Sequence, residues 1–303
     1  MAAIGMLGRS IFRAITCRSR LKMLSNLHDD GLPQQILPAL EYLVSGKTDT
    51  ATRSIINIAE NRRRMIASLD NGNIPILHSP KPGSAGTDFA INARPQPGKV
   101  IIHTSDRIAR LGKAERWGTA LYLIARGFES SSALELGSCA GISAIYLSSA
   151  PHIRKFITVE GAEALAEIAR DSLKSHRNAK VVTSLFDEAI DSMLKFPEER
   201  IDLAYIDGHH EKIATIHYFN RLIPLFDPGA IVIFDDISWS YDMREAWDLL
   251  SMRTEFSHAM DLGMIGVCIM KTEANLSQEK PTYWNLQPVV GKRSIGDPPG
   301  WKD

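Results

Sequence analysis

The sequence predicts an α/β fold in which five parallel strands are closed by an antiparallel hairpin, with a helical extension at the N-terminus. Three observations carry that prediction. From Ala133 to Ser251, short apolar runs alternate with helical segments, the pattern of right-handed βαβ crossovers. The run Ile231-Val232-Ile233-Phe234 is apolar at every position, as a strand buried on both faces requires. Near the end, His258–Leu262 and Ile265–Met270 meet at Gly263 with no room for a crossover helix. Parallel neighbours cannot be joined so tightly, so this last pair is antiparallel.

Taken in order, residues 1–70 read as helical, with Ile55, Ile56, Ile58, Ala59, Met65 and Ile66 marking the apolar positions of a segment from Thr50 to Leu69. The triplet Arg62-Arg63-Arg64 reads as a solvated helix face. From Asn71 to Gly98 the chain is dense in Pro, Gly, Asn and Ser, which marks a linker or a lid loop rather than an element. A helix over Arg116–Phe128 leads into strands predicted at Ala133–Leu136, Lys155–Val159, Ala179–Thr183, Ile201–Ile206 and Ala230–Phe234. Helices are expected at Ile142–Ser149, Ala162–Ser175, Glu188–Lys195, Glu211–Leu225 and Met243–Ser251. The chain thus divides into a helical and loop extension over 1–112, an α/β domain over 113–272, and an irregular tail over 273–303.

Composition narrows the function classes. A hydrophobic fraction of 44% with 23% charged residues suffices for a substantial core. Lys and Arg number 35, as do Asp and Glu, so no overall basic footprint points to nucleic acid. Cys17, Cys139 and Cys268 are odd in number and widely spaced, which disfavours a disulfide scaffold or a zinc site and points to a reducing cytoplasm. No apolar run approaches the roughly 20 residues that a membrane-spanning helix needs. Ile4, Leu7, Ile11, Phe12 and Ile15 recur at helical spacing among arginines. The favoured reading is a helix docked on its own domain, with an organelle presequence or a membrane-surface helix as the alternatives.

The chemistry gathers where the strands end. The stretch Glu135-Leu136-Gly137-Ser138-Cys139-Ala140-Gly141-Ile142-Ser143 is a strand end, a glycine turn and a helix start. It lacks the G-x-G-x-x-G of dinucleotide binders. The carboxylate of Glu135 argues against a phosphate and for a cationic, hydroxyl-bearing ligand such as S-adenosylmethionine. Glu160 and Gly161 end the second strand beside that turn, where a carboxylate can accept both ribose hydroxyls; the alternative is a surface helix cap. Phe186 is placed either against an adenine or in the core, with Asp187 a candidate for reading the ring edge. The fourth strand ends at Asp207-Gly208-His209-His210 and the fifth at Asp235-Asp236. Three like charges at close range need neutralising. A divalent cation, Mg²⁺ by its preference for oxygen, is the expected solution, with Asp207, Asp235 and Asp236 as ligands and zinc on the histidines a minor option. The alternative leaves Asp236 as a helix cap and Asp207 to orient cofactor.

The segment from about Arg116 to Lys271 resembles the class I S-adenosylmethionine-dependent methyltransferases, in the grouping of macrocin-type and catechol-type O-methyltransferases. The matching motifs are Leu134–Ser143, Thr158–Gly161, Ile206–His210, Phe234–Ser240 and Met243–Trp247. The resemblance implies their Rossmann-like sheet and transfer of a methyl group to a small-molecule hydroxyl. It places cofactor at Glu135, Gly137, Ser138, Gly141, Ser143, Glu160, Gly161, Phe186 and Asp207. It also implies metal at Asp207, Asp235 and Asp236, with the Asp-Asp pair of the macrocin type. Asp207 and His210 are the catalytic candidates, His210 either as general base or as a residue that only shapes the pocket. A small-molecule acceptor is the expected partner, and a homodimer is compatible with the sequence. The competing readings are a metal-free methyltransferase acting on nitrogen or carboxylate, a non-catalytic cofactor-binding module that docks a partner, and a nicotinamide oxidoreductase.

Overall fold

The computed structural model of the protein describes residues 2–69, 74–77 and 99–291, with side chains from residue 16 onward. The N-terminal region holds α1 (Ala2–Asp29), α2 (Leu37–Ser45) and α3 (Thr50–Ala67). Then come β1 (Ile74–Leu77), β2 (Val100–His103), α4 (Ser105–Leu111) and α5 (Glu115–Gly127). The alternating region follows as β3 (Ser132–Leu136), α6 (Ile142–Ser148), β4 (Lys155–Glu160), α7 (Glu163–Ser172), β5 (Ala179–Thr183) and α8 (Phe186–Met193). It continues through β6 (Ile201–Ile206), α9 (Lys212–Leu222), β7 (Phe226–Phe234), α10 (Tyr241–Leu250), β8 (Phe256–Asp261) and β9 (Gly266–Met270). The chain closes with β10 (Thr282–Asn285) and α11 (Gln287–Val290).

The main sheet runs β10-β8-β9-β7-β6-β3-β4-β5. Strands β3 to β7 are mutually parallel, and β9 lies antiparallel to both β7 and β8. The five parallel strands and closing hairpin stand as expected. The order reverses between β3 and β6, the switch point at which open α/β sheets bind ligands. Alternate strand residues face two cores. Leu203, Tyr205, Ile231 and Ile233 join the N-terminal helices and α6, whereas Leu134, Ala204, Val232 and Phe234 join α8, α9 and α10.

Two expectations are corrected. The tail is not wholly irregular: β10 pairs in parallel with β8 and adds an eighth strand. Its anchor is the fully buried Asp261 carboxylate, which accepts from Tyr283 Oη at 3.0 Å, Gln287 Nε2 at 2.9 Å and the Gly263 amide at 2.8 Å, and pairs with Arg244. Within the expected lid at 71–98, Ile74–Leu77 is a strand paired antiparallel with β2; the rest of that segment lies outside the described residues. The side chains of Ile4, Leu7, Ile11, Phe12 and Ile15 also lie outside them, while Leu24 of α1 is buried in the core. Among the described residues no helix is long and apolar enough to cross a membrane.

The arginine triplet is also corrected. Arg62 is buried, donating to Ser172 Oγ at 2.8 Å and pairing with Asp171 at 2.7 Å, so it ties α3 to α7. If Asp261 is the tail's anchor, Asp261→Ala strands Arg244 and three neutral donors and should lower unfolding free energy by about 3–5 kcal/mol. Tyr283→Phe removes one neutral hydrogen bond and should cost only about 1 kcal/mol. Urea unfolding distinguishes the two, and equal small losses would mean that the tail is not anchored there.

Candidate active site

The sheet register sets the site. Leu136 pairs with Val159 and with Ile206, and Ile206 pairs with Phe234. The next residues along, Glu160, Gly137, Asp207 and Asp235, therefore stand side by side at the carboxyl edge of four adjacent strands. The ladder runs on through them: the Gly137 amide donates to the Val159 carbonyl, that of Asp207 to Leu136, and that of Asp235 to Ile206, at 2.9–3.0 Å.

The glycine turn is shaped first by its own chain. Gly137 has φ of +105°, and a Cβ there would fall 1.9 Å from the carbonyl oxygen of Asp207. Gly141 has φ of +84°, and its Cβ would press to 3.1 Å against Ala169 and Ser172 of α7. The close approach read as room for a ligand is thus, at both glycines, an approach of backbone to neighbouring chain. Ser172 Oγ donates to the Ala140 carbonyl at 2.7 Å and links the turn to Arg62.

Glu160 is buried, and each oxygen accepts one backbone amide: Oε1 from Ala162 and Oε2 from Cys139, both at 2.9 Å. Burial pushes its carboxyl up to about 7 against the pull of these donors and of the Gly161 amide. Glu160 does help to hold the turn into α7, and it also keeps free lone pairs beside the glycine turn. Glu135 is fully buried; desolvation raises it to about 7, held back by the Ser143 and Thr158 hydroxyls. Glu135 Oε1 and Ser138 Oγ are buried without a hydrogen-bond partner, an arrangement suited to a ligand ammonium. Phe186 is half-buried at the start of α8, edge-on to Tyr218 at 5.2 Å and close over Gly208. Asp187 Oδ1 pairs with His217 at 2.8 Å and Arg221 at 2.6 Å, tying the start of α8 to α9. Cys139 is no nucleophile: burial and the Glu160 charge push its thiol up to about 12.

The acid cluster departs from expectation in its counter-charge. The ammonium of Lys113 pairs with Asp235 and stands 4.0 Å from Asp236. Burial alone would depress that ammonium, but the charges of Asp235, Asp207 and Asp236 outweigh it and hold it well above the usual lysine range. Desolvation followed by the Asp235 charge pushes the Asp207 carboxyl well above the usual range. At Asp235, Lys113 and a hydrogen bond from Asp207 overcome the same desolvation and keep the group ionised. Tyr205 Oη donates to Asp207 at 2.9 Å. An ammonium already lies against the expected ligands, so this donor set does not fit a divalent cation. Among the described residues no cluster of His, Cys, Asp and Glu has the arrangement of a metal centre.

Lys113 and its support were invisible to the sequence reading. Arg63 of α3 donates to the carbonyls of Ala109 at 2.6 Å, Gly112 at 2.9 Å and Lys113 itself. It thus closes the end of α4 and fixes the loop that carries Lys113. The two histidines are separated in role. His209 Nδ1 meets Tyr218 Oη at 3.1 Å, and burial lowers its imidazole to about 4, whereas His210 Nε2 stands 3.8 Å from Asp207 and 3.9 Å from Asp236. Among the described residues, three of the four non-glycine positions with positive φ, Cys139, His209 and Asp236, lie just past strand ends in this one crevice. Backbone strain of this kind, about 1–3 kcal/mol per residue, concentrates where function holds it.

A family model described as "Methyltransferase domain" matches residues 134–237. A catechol O-methyltransferase from Mycobacterium tuberculosis is 27% identical over 131 residues, 43% of this chain. The match spans 59% of that relative's length. Among solved structures, an O-methyltransferase from Bacillus cereus in complex with SAH aligns over 55% of this chain and 90% of its own, with TM-score 0.47 and 20% identity. An O-methyltransferase from Streptomyces achromogenes involved in tomaymycin synthesis aligns over 75% and 92%, with TM-score 0.47 and 16% identity. Over residues 134–237 the chain is therefore similar to methyltransferase domains.

Proposed function

We propose that the protein transfers the methyl group of S-adenosylmethionine to a hydroxyl oxygen of a small molecule. The observation that carries this is the row of acidic side chains at the switch point. Glu160 and the unpartnered Glu135 Oε1 and Ser138 Oγ lie on one side, and Asp207 with His210 on the other. The chemistry of this set suits the cofactor: Glu160 accepts ribose hydroxyls, Glu135 and Ser138 take the amino group, and Phe186 lies against the adenine. When bound, S-adenosylmethionine supplies an electrophilic methyl group, which an acceptor oxygen held in line can take.

The acceptor proton passes to His210, the side chain type suited to general-base work near neutral pH. The imidazolium so formed lies 3.9 Å from the Asp236 carboxylate, whose charge stabilises it. Trp239, 44% exposed, lies 5.7 Å from His210 ring to ring and offers a flat face beside the base. That favours an aromatic acceptor, as the name of the mycobacterial relative also suggests. The reading is tested by calorimetry with S-adenosylhomocysteine, then by methyl transfer from labelled cofactor to a panel of phenols. No binding of S-adenosylhomocysteine would end it.

Two outcomes follow from the residue roles. Because burial raises both Glu160, which accepts from ribose, and Glu135, which takes the amino group, to about 7, S-adenosylhomocysteine affinity should fall as pH drops through about 7, and only Glu160→Gln combined with Glu135→Gln should remove that dependence completely. Glu160→Gln alone should flatten that profile in part and weaken binding by about 1.5–3 kcal/mol. A steep acid loss that persists in the double variant would assign the titration to another group. His210→Gln should lower kcat by about 10²–10⁴-fold, the range for a lost general base, with S-adenosylhomocysteine affinity unchanged. Parallel losses in both would make His210 a cofactor contact instead.

A further inference from the structure

The acid cluster and the lysine that enters it come from opposite ends of the fold. Asp207 and Asp235 end adjacent parallel strands, whereas Lys113 lies in the loop between α4 and α5, 122 residues before Asp235 in sequence. Its side chain is only 11% exposed and that of Asp235 is 0% exposed, so the pair is shielded from water and salt. The loop is not free to swing: the carbonyls of Gly112 and Lys113, and that of Ala109 at the end of α4, accept from Arg63, whose Nε also pairs with Glu60 at 2.9 Å. Gly112, next to Lys113, packs so closely on Ile142 that a Cβ would come within 2.9 Å of it. The segment is therefore clamped from α3 on one side and from α6 on the other.

We propose that Lys113 is the resident cation of this site, an ammonium built into the chain at the place where three strand-end carboxylates would otherwise gather a divalent metal, and that Arg63 is the positioning residue that holds it there. The cluster needs positive charge for the reason that favours metal binding: buried carboxylates repel one another unless compensated. The Lys113 ammonium, paired with Asp235 and 4.0 Å from Asp236, supplies that compensation without an exchangeable ion. The inference stands on ion pairing and loop geometry and does not depend on which acceptor is methylated.

Mn²⁺ is the probe, since it takes the oxygen ligands that Mg²⁺ takes and reports its binding by electron paramagnetic resonance. Wild-type protein should show no Mn²⁺ binding that Asp235→Asn removes. Lys113→Ala empties the cation position, and it should bind Mn²⁺ at least about tenfold more tightly than wild type, with the gain lost in Lys113→Ala/Asp235→Asn. Arg63→Gln keeps Lys113 but frees its loop, and should gain a weaker, Asp235-dependent Mn²⁺ signal that loss of packing alone would not create. Should Lys113→Ala fail to fold, the wild type and Arg63→Gln carry the test. Asp235-dependent Mn²⁺ binding in the wild type overturns the proposal, as does a folded Lys113→Ala that gains none. Arg63→Gln without any gain removes Arg63 from it. S-adenosylhomocysteine calorimetry on the same samples reads the methyltransferase assignment separately.

Discussion

Carboxylates buried side by side at one edge of a sheet impose the condition that the rest of this molecule answers. The parallel register brings Glu160, Asp207 and Asp235 level with one another, and Glu135 lies one layer below, fully buried. Each charge removed from water costs several kcal/mol unless a partner meets it. The protein meets that cost differently at each position. Glu160 takes backbone amides, Glu135 and Asp207 are pushed towards protonation, and Asp235 takes an ammonium. The result divides the crevice into a neutral or hydrogen-bonded side and a side held by a fixed positive charge.

That charge explains why the N-terminal helices are not an appendage to the site. Arg63 fixes the Lys113 loop, and Arg62 reaches through Ser172 to the Ala140 carbonyl inside the glycine turn. Adjacent arginines on α3 therefore brace both halves of the crevice, one at the acid cluster and one at the cofactor turn. The helices share a continuous core with one face of the sheet, with Ile36, Leu40 and Ile66 in the same cluster as Tyr205 and Ile233. Tyr205 in turn donates to Asp207, so packing on that face bears directly on the carboxylate at the centre of the site.

At the opposite end, the tail closes the sheet by similar means. Asp261 gathers donors from the β8–β9 turn, α10, β10 and α11. A buried carboxylate with this many partners is a specific latch, because any shift of the tail would leave donors or acceptors unpaired in the interior. Apolar contact adds to it: Leu286, Val289 and Val290 belong to the same core as the N-terminal helices.

The sequence by itself determined the α/β alternation, the antiparallel closing hairpin and the strand-end positions of Glu135, Glu160, Asp207, Asp235 and His210. All of these follow from local periodicity and from the rule that parallel strands need long crossovers. It also showed that three aspartates near one another need a cation. What it could not supply was the identity of that cation, because Lys113 is separated from Asp235 by 122 positions and sits in a loop without periodicity. The same distance hid Arg62 and Arg63, whose spacing is that of any solvated helix face and whose partners lie on α7 and in the Lys113 loop. The tail's eighth strand was hidden too, since a four-residue edge strand with Asn and Trp carries little alternation and forms only where β8 offers an edge. Local chemistry was legible wherever neighbours in sequence create it; the counter-charges that make it tolerable are long-range, and only the packed chain could choose them.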